Sequence, residues 1–351
     1  MRNFNIGGET YTDDSLPFII AEVGHNHQGE LETALKLIRA ASNAGATAVK
    51  FQKRNNKKLF TQLAYNAPYT SENSYGPTYG LHREALEFGR SEYIACIEEA
   101  KRCNILFFAT AFDLESADFL ADLDMPAFKI ASGDLKSIQL IEYVAKLGKP
   151  VIISTGGGSL DEIELAVETV LKYNTNLALL QCTAGYPPAF EELNLRVIET
   201  FRDHFPTITV GYSGHDSGIA MSLVSYVLGA RVIEKHFTLN RTMKGTDHAF
   251  SLEPQGMQKL VRDIKRTQIA LGDGVKKTYV SEVAPLTKMS KSMYYVGNLS
   301  AGTTLDLNHV DFRSPGVGIS PALLSRFIGK KLITDVNAEQ LLENEHFSEN
   351  S

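Results

Sequence analysis

Residues 126–156 read PAFKIASGDLKSIQLIEYVAKLGKPVIISTG. An apolar run at 126–132 gives way to a helical pattern at 137–148, and a second apolar run follows at 150–156. This switch from strand to helix and back is a strand–helix–strand unit. The alternation extends in both directions. Further strand-like runs are FIIAEVG (18–24), TAVKFQK (47–53), ILFFATAF (105–112), LALLQCT (177–183), TITVGYSG (207–214) and RVIEKHFT (231–238). Helical segments follow most of them. In GELETALKLIRAASNAG, for example, Leu31, Ala34, Leu35 and Ile38 recur at helical spacing and the pattern stops at Gly45. About eight such units in roughly 270 residues predict an α/β fold, a (β/α)8 TIM barrel. An open doubly wound sheet is the alternative.

Two segments break the rhythm. After the second strand, residues 55–89 form an irregular insertion carrying Tyr65, Tyr69, Tyr75 and Tyr79. A loop of this length inside a compact domain suits a lid or binding loop. After Gly272 the alternation ends. The expected layout is a catalytic barrel over 1–280, a linker over 281–289 and a small unit over 290–351 whose own core is marginal.

Composition narrows the function classes. The chain has 351 residues and a formal net charge of −6 without a basic block, which argues against nucleic-acid binding. No run of eighteen apolar residues predicts a membrane span. The polar start MRNFNIGGETYTDD has no signal-peptide core. Cys96, Cys103 and Cys182 are odd in number and widely spaced. They read as small core residues in a reducing cytoplasm.

The strands begin apolar and end polar. In such a barrel the active site forms at those C-terminal ends. Strand one ends at Glu22, and strand two offers Lys50 and Gln52 on one face. The next strands offer Thr110, Lys129 with Ser132, Ser154 with Thr155, and Gln181 with Thr183 before Tyr186. Ser213 and His215 close the seventh, and Glu234 and His236 close the eighth. Lys50, Lys129, Ser132, Ser154 and Ser213 are cations and hydroxyl donors, suited to a small anion, since buried cations without an anion are costly. The turn STGGGS (154–159) opens a helix and could present backbone N–H groups to the same ligand, or serve only as a flexible turn. His215 and His236 lie on neighbouring strands. They read as either a hydrogen-bonded pair or two ligands of a catalytic metal with open positions. Glu22 is a candidate base, proton relay or orienter of water. Glu234 and Lys235 read as salt-bridged structural residues.

The motifs FIIAEVGHNHQG, AVKFQK, FKIASGDL, VIISTGG, LLQCTAGYP, NLRVI, GYSGHDSGIA, EKHFTL and KGTDHAFSLEP, in this order, resemble the sialic acid synthase family. The end of the chain, around FRSPGVGISP and IGKKL, is similar to that family's antifreeze-like (SAF) domain. The resemblance implies condensation of phosphoenolpyruvate with N-acetylmannosamine, or a close N-acylated hexosamine, to give an N-acetylneuraminate-type acid and phosphate. Synthases of N-acylneuraminate 9-phosphate or of legionaminate-type acids are the alternatives. A lysine Schiff-base aldolase using Lys129 or Lys50 is the more distant one. By the resemblance, Lys50, Thr110, Lys129, Ser132, Ser154 and Ser213 hold phosphoenolpyruvate. Gln52, Tyr186 and Asp247 face the sugar, and Glu22 stands at the reacting centre. His215 and His236 bind a divalent metal, Mn2+ with Mg2+ or Co2+ as alternatives. Arg313 serves the sugar and the catalysis in the partner's site of a domain-swapped homodimer.

Overall fold

The computed structural model describes residues 2–348. The chain forms two compact units, the first ending at Leu271 and the second starting at Gly272. The first opens with a hairpin, β1 (Asn3–Ile6) and β2 (Glu9–Thr12). Its Phe4 and Ile6 are buried in the barrel's core cluster. Asn5 exchanges hydrogen bonds with Asn176, just before a barrel strand, so the hairpin caps the N-terminal end. This hairpin lies outside the regular alternation.

Eight parallel strands then close into a barrel. They are β3 (Phe18–Gly24), β4 (Ala48–Lys53), β5 (Leu106–Ala111), β6 (Phe128–Ile130), β7 (Val151–Ser154), β8 (Leu177–Cys182), β9 (Thr209–Gly214) and β10 (Val232–His236). β10 pairs with β3 and completes the ring. Nearly every strand residue is buried, as expected for strands covered on both faces. Helices connect consecutive strands, and most bury one apolar stripe. In Leu31–Asn43 that stripe is Ala34, Leu37, Ile38 and Ala41.

The insertion at 55–89 is less irregular than the sequence suggests. It contains the short helices Asn56–Leu59, Gln62–Tyr65 and Tyr79–Ala85. Its Tyr75 hydroxyl donates to the carbonyl of Lys244, and Asn73 Oδ1 accepts from Gly245 N. The insertion therefore reaches from β4 to the loop that follows β10.

The expected boundary at 280 and linker at 281–289 differ from what is seen. The units part at Leu271, and Val280–Met289 is a helix without a buried residue. The backbone N–H of Tyr279, at its N-cap, donates to Oε2 of Glu282, which supports a helix start in a segment poor in apolar periodicity. The second unit pairs β11 (Ser292–Tyr295) antiparallel with β12 (Val310–Arg313) around its own small core, including Met293, Tyr295, Leu305 and Leu342. Among the described residues no helix is long and apolar enough to cross a membrane.

Candidate active site

Register brings the polar strand ends together. Glu22 lies opposite His236 on one side and Lys50 on the other. Thr110 lies opposite Gln52 and Lys129, and Ser213 lies opposite Glu234. Parallel partners share a face, so these side chains all enter the barrel mouth.

Lys50 is the hub. Its Nζ donates to Thr110 Oγ1 at 2.9 Å and lies 3.6 Å from Glu234 Oε1. It is 2.6 Å from Glu22 Oε2, an ion contact without hydrogen-bond alignment, since that oxygen has no hydrogen-bond partner. The other Glu22 oxygen accepts from Gln52 Nε2 at 2.7 Å. Burial, reinforced by the charge on Glu234, outweighs Lys50 and raises the Glu22 carboxyl to about 7. Burial also pushes Glu234 up, but Lys50 and Lys129 overcome it and leave Glu234 below the usual range.

Lys129 is buried without a carboxylate partner. Its Nζ donates to Ser154 Oγ at 2.6 Å and to the carbonyl of Ile130 at 2.8 Å. Burial lowers its affinity for a proton. Ser132 Oγ accepts from Gly156 N at 3.0 Å, at the glycine-rich turn, and Ser213 Oγ donates to Glu234 Oε1 at 3.3 Å. A Cβ at Gly156 would come within 2.8 Å of Ser132 Oγ, so this close approach requires glycine.

The two imidazoles converge, with ring centroids 5.3 Å apart. His215 Nδ1 lies 2.9 Å from the carbonyl of Thr183. A carbonyl only accepts, so Nδ1 carries the hydrogen and Nε2 is the nitrogen left to face a ligand. His236 Nδ1 is buried without a hydrogen-bond partner, 3.7 Å from Asp247 Oδ2. Burial holds this ring neutral despite the nearby Asp247 and Glu234. Two imidazoles, one oriented by a carbonyl and one with an orphaned nitrogen, fit a divalent ion whose remaining positions stay open. No group of three His, Cys, Asp or Glu in a metal-holding arrangement occurs among the described residues. Tyr186 packs tilted against His215 with centroids 4.1 Å apart, and Phe250 packs against His236 at 5.0 Å.

Arg313 belongs to the second unit, is exposed, and pairs with Asp311 Oδ2 at 2.8 Å and Glu339 Oε1 at 2.6 Å. Glu234 and Lys235, adjacent in sequence, separate by face. Glu234 enters the mouth, whereas Lys235 lies outside the barrel wall with Asp216. Sequence reading missed Arg54, which is buried and donates to Gln52 Oε1 at 2.8 Å. The alternation Lys50, Gln52, Arg54 was the available signal for it.

Residues 37–276 match the model of the NeuB family. The chain is 39% identical over 330 residues to an N-acetylneuraminate-9-phosphate synthase of Homo sapiens, covering 93% of this chain and 92% of that protein. It is 39% identical over 328 residues to an N,N'-diacetyllegionaminic acid synthase of Campylobacter jejuni, covering 92% of this chain and 98% of that protein. The crystal structure of an N-acetylneuraminic acid (sialic acid) synthetase from Leptospira borgpetersenii, in complex with citrate, superposes with a TM-score of 0.70 at 34% identity, over 81% of this chain and 95% of that one.

Proposed function

The chain belongs to the NeuB family, and from that premise we propose that it is a sialic acid-type synthase. It joins phosphoenolpyruvate to the aldehyde of an open-chain N-acylated hexosamine, N-acetylmannosamine or a close analogue, and releases phosphate. The observation that carries this reading is the pair Lys50 and Lys129, both buried in one mouth, Lys50 on the hydroxyl of Thr110 and Lys129 on that of Ser154, with two imidazoles beside them.

Each residue then has a task. Lys50, Lys129, Thr110, Ser132, Ser154 and Ser213 hold the carboxylate and phosphate of phosphoenolpyruvate and offset the charge that repels them from the acidic groups. The enol carbon attacks the aldehyde carbon, and a carbon–carbon bond forms. The aldehyde oxygen takes up a proton as it becomes a hydroxyl. Glu22, its carboxyl raised to about 7, is suited to hold that proton. Water adds to the resulting oxocarbenium-like carbon, and phosphate leaves with its bridging oxygen. Gln52, Tyr186 and Asp247 orient the sugar. His215 and His236 would hold a divalent cation, Mn2+ by the family resemblance, which supplies Lewis-acid polarisation of the aldehyde when bound. Arg313 of a second copy completes the sugar site in a domain-swapped homodimer.

The test is a phosphate-release assay with phosphoenolpyruvate and three acceptors: N-acetylmannosamine, its 6-phosphate and a diacetamido hexose. Release with at least one is expected. With phosphoenolpyruvate labelled in the bridging oxygen, the label should leave in the phosphate. Label kept in the sugar acid would rule out the carbon–oxygen cleavage.

A further inference from the structure

The loop that follows β10 carries Asp247, and one buried amide holds its base. Asn26 lies just past β3 and is 2% exposed. Its Nδ2 donates to the carbonyl of Phe237 at 2.9 Å and to Ser251 Oγ at 3.1 Å. A carbonyl only accepts, so this end of the amide is the nitrogen, and both of its hydrogens are used. The hydroxyl of Ser251, itself buried, donates in turn to the carbonyl of Asp247 at 2.6 Å. Phe237 directly follows His236. A single amide thus ties together two backbone carbonyls, one next to an imidazole of the mouth and one on Asp247.

Closing the loop does not require this chain of bonds, because the backbone already does it. Leu252 N donates to the carbonyl of His236 at 2.7 Å, and Thr238 N donates to that of Leu252 at 2.9 Å. The far end of the loop is held from the insertion and from the turn after β3. There the carbonyl of Lys244 accepts from the Tyr75 hydroxyl and from Gln28 Nε2, both at 2.7 Å. These two bonds are exposed, and water competes for the same groups. The Asn26–Ser251–Asp247 bonds are largely shielded from water and polarise one another, so they are the firmer hold on Asp247.

What they position is a side chain. Asp247 and Asn26 line one cleft, together with Tyr75 and Thr246. Asp247 Oδ1 accepts from Thr246 Oγ1 at 2.8 Å, a neighbour that moves with the same loop. Asp247 Oδ2 lies 3.7 Å from His236 Nδ1, too far for a hydrogen bond. The carboxylate is therefore placed beside the imidazole through its backbone, and the backbone is placed by Ser251 and Asn26.

We propose that Asn26, acting through Ser251, is a positioning residue that holds the Asp247 carboxylate beside His236, where it accepts from a hydroxyl of the acceptor sugar. This rests on the synthase reading above and adds two residues that act on the sugar without touching it.

Ser251→Ala is the first variant, because it cuts the chain and leaves Asn26 its bond to Phe237. The acceptor is whichever of N-acetylmannosamine, its 6-phosphate or a diacetamido hexose wild type uses. KM for that sugar should rise about ten-fold, the loss of one hydrogen bond, while KM for phosphoenolpyruvate stays within about two-fold. Ser251→Thr keeps a hydroxyl and should restore most of the affinity. Asn26→Ala should show the same split between the two substrates. If it does not fold, Ser251→Ala carries the test alone. In an Asp247→Ala background, Ser251→Ala should move the sugar KM by less than about two-fold, because the group it positions is gone. An unchanged sugar KM, equal rises for both substrates, or the full rise in the Asp247→Ala background overturns the proposal. If wild type releases phosphate with none of the three sugars, the synthase reading fails for these acceptors. Crystal structures of wild type and Ser251→Ala then decide the positioning by itself. A carboxylate displaced from His236 by about 1 Å or more, a shift large enough to cost an enzyme much of its rate, supports it. A carboxylate that stays in place overturns it.

Discussion

Lys50 and Lys235 are both buried lysines at the strand ends of one barrel, each with a carboxylate oxygen within 3 Å, at 2.6 and 2.9 Å respectively. They lie on opposite faces of the wall. Lys235 donates to Asp216 Oδ1 and to the carbonyl of the same residue, and Tyr212 donates to the same Oδ1. That cluster is closed by protein groups, with Asp216 Oδ2 its only orphaned oxygen. Lys50 is shared between two carboxylates and leaves one oxygen of Glu22 and one of Glu234 without a hydrogen bond, beside the orphaned Nδ1 of His236. The same residue types thus make a tie outside the wall and a receptive site inside it. Strand parity decides between the two.

The sharpest way to break this comparison is Lys235→Met. It strands the Asp216 carboxylate in a site with 1% exposure on both sides of the pair, and breaking a buried pair from one side costs about 3–5 kcal/mol. Denaturant unfolding should register that loss, while turnover per folded molecule should fall much less. Full stability with lost turnover would place Lys235 in the site after all.

Lys129→Met should show the reverse. Its Nζ contacts a hydroxyl and a carbonyl, and burial already disfavours its charge. Losing one donor to a charge that develops in the transition state costs about 10²–10³-fold. The kcat/KM for phosphoenolpyruvate should fall by that order, and the unfolding midpoint should not drop. An apolar chain of similar length replaces an unpaired cation, which is often neutral or stabilising.

A smaller effect, on the order of 10²-fold, is expected for Arg313→Ala. In the second unit this guanidinium is exposed and held by two surface carboxylates, pairs that are individually weak. It is therefore free to be re-engaged. His236→Ala should also be inactive and should lose bound Mn2+ by metal analysis. Mixed and allowed to exchange subunits, the two variants should partly recover activity, because one of the two sites in a heterodimer carries both intact residues. Proven heterodimers without recovery would confine Arg313 to its own barrel or exclude it.

Sequence carried the barrel because eight apolar runs and their helices obey two different periods, and period is a property of the chain alone. It carried the mouth residues for the same reason, since parity placed Lys50 with Gln52 on one face before any contact was known. What escaped it depends on tertiary neighbours. The β1–β2 hairpin is two four-residue strands, too short to announce themselves. Val280–Met289 lacks a buried stripe, so its helix leaves no apolar period to read. Glu234 and Lys235 read alike as salt-bridged charges, although strand parity puts them on opposite faces, and their partners follow from that.

The smallest expected effect is the most discriminating one. If the Tyr212–Asp216–Lys235 cluster is purely a tie, its charge is dispensable once both partners go together. Asp216 directly follows His215, and Lys235 directly precedes His236. The pair therefore joins the two strand ends that carry the imidazoles, from behind. Lys235→Met combined with Asp216→Leu removes cation and anion at once and leaves no stranded charge. Replacing a buried pair by apolar groups of similar volume is frequently neutral. The double variant should recover most of the stability lost in Lys235→Met. The Tyr212 hydroxyl loses its acceptor, which sets a floor of about 1 kcal/mol on full recovery. Mn2+ affinity separates the remaining possibilities. Packing alone would hold the imidazoles, and affinity would then stay near wild type in the double variant. A restored fold with weakened Mn2+ binding would show instead that the ion pair sets the spacing of His215 and His236, and the tie outside the wall would then belong to the site inside it.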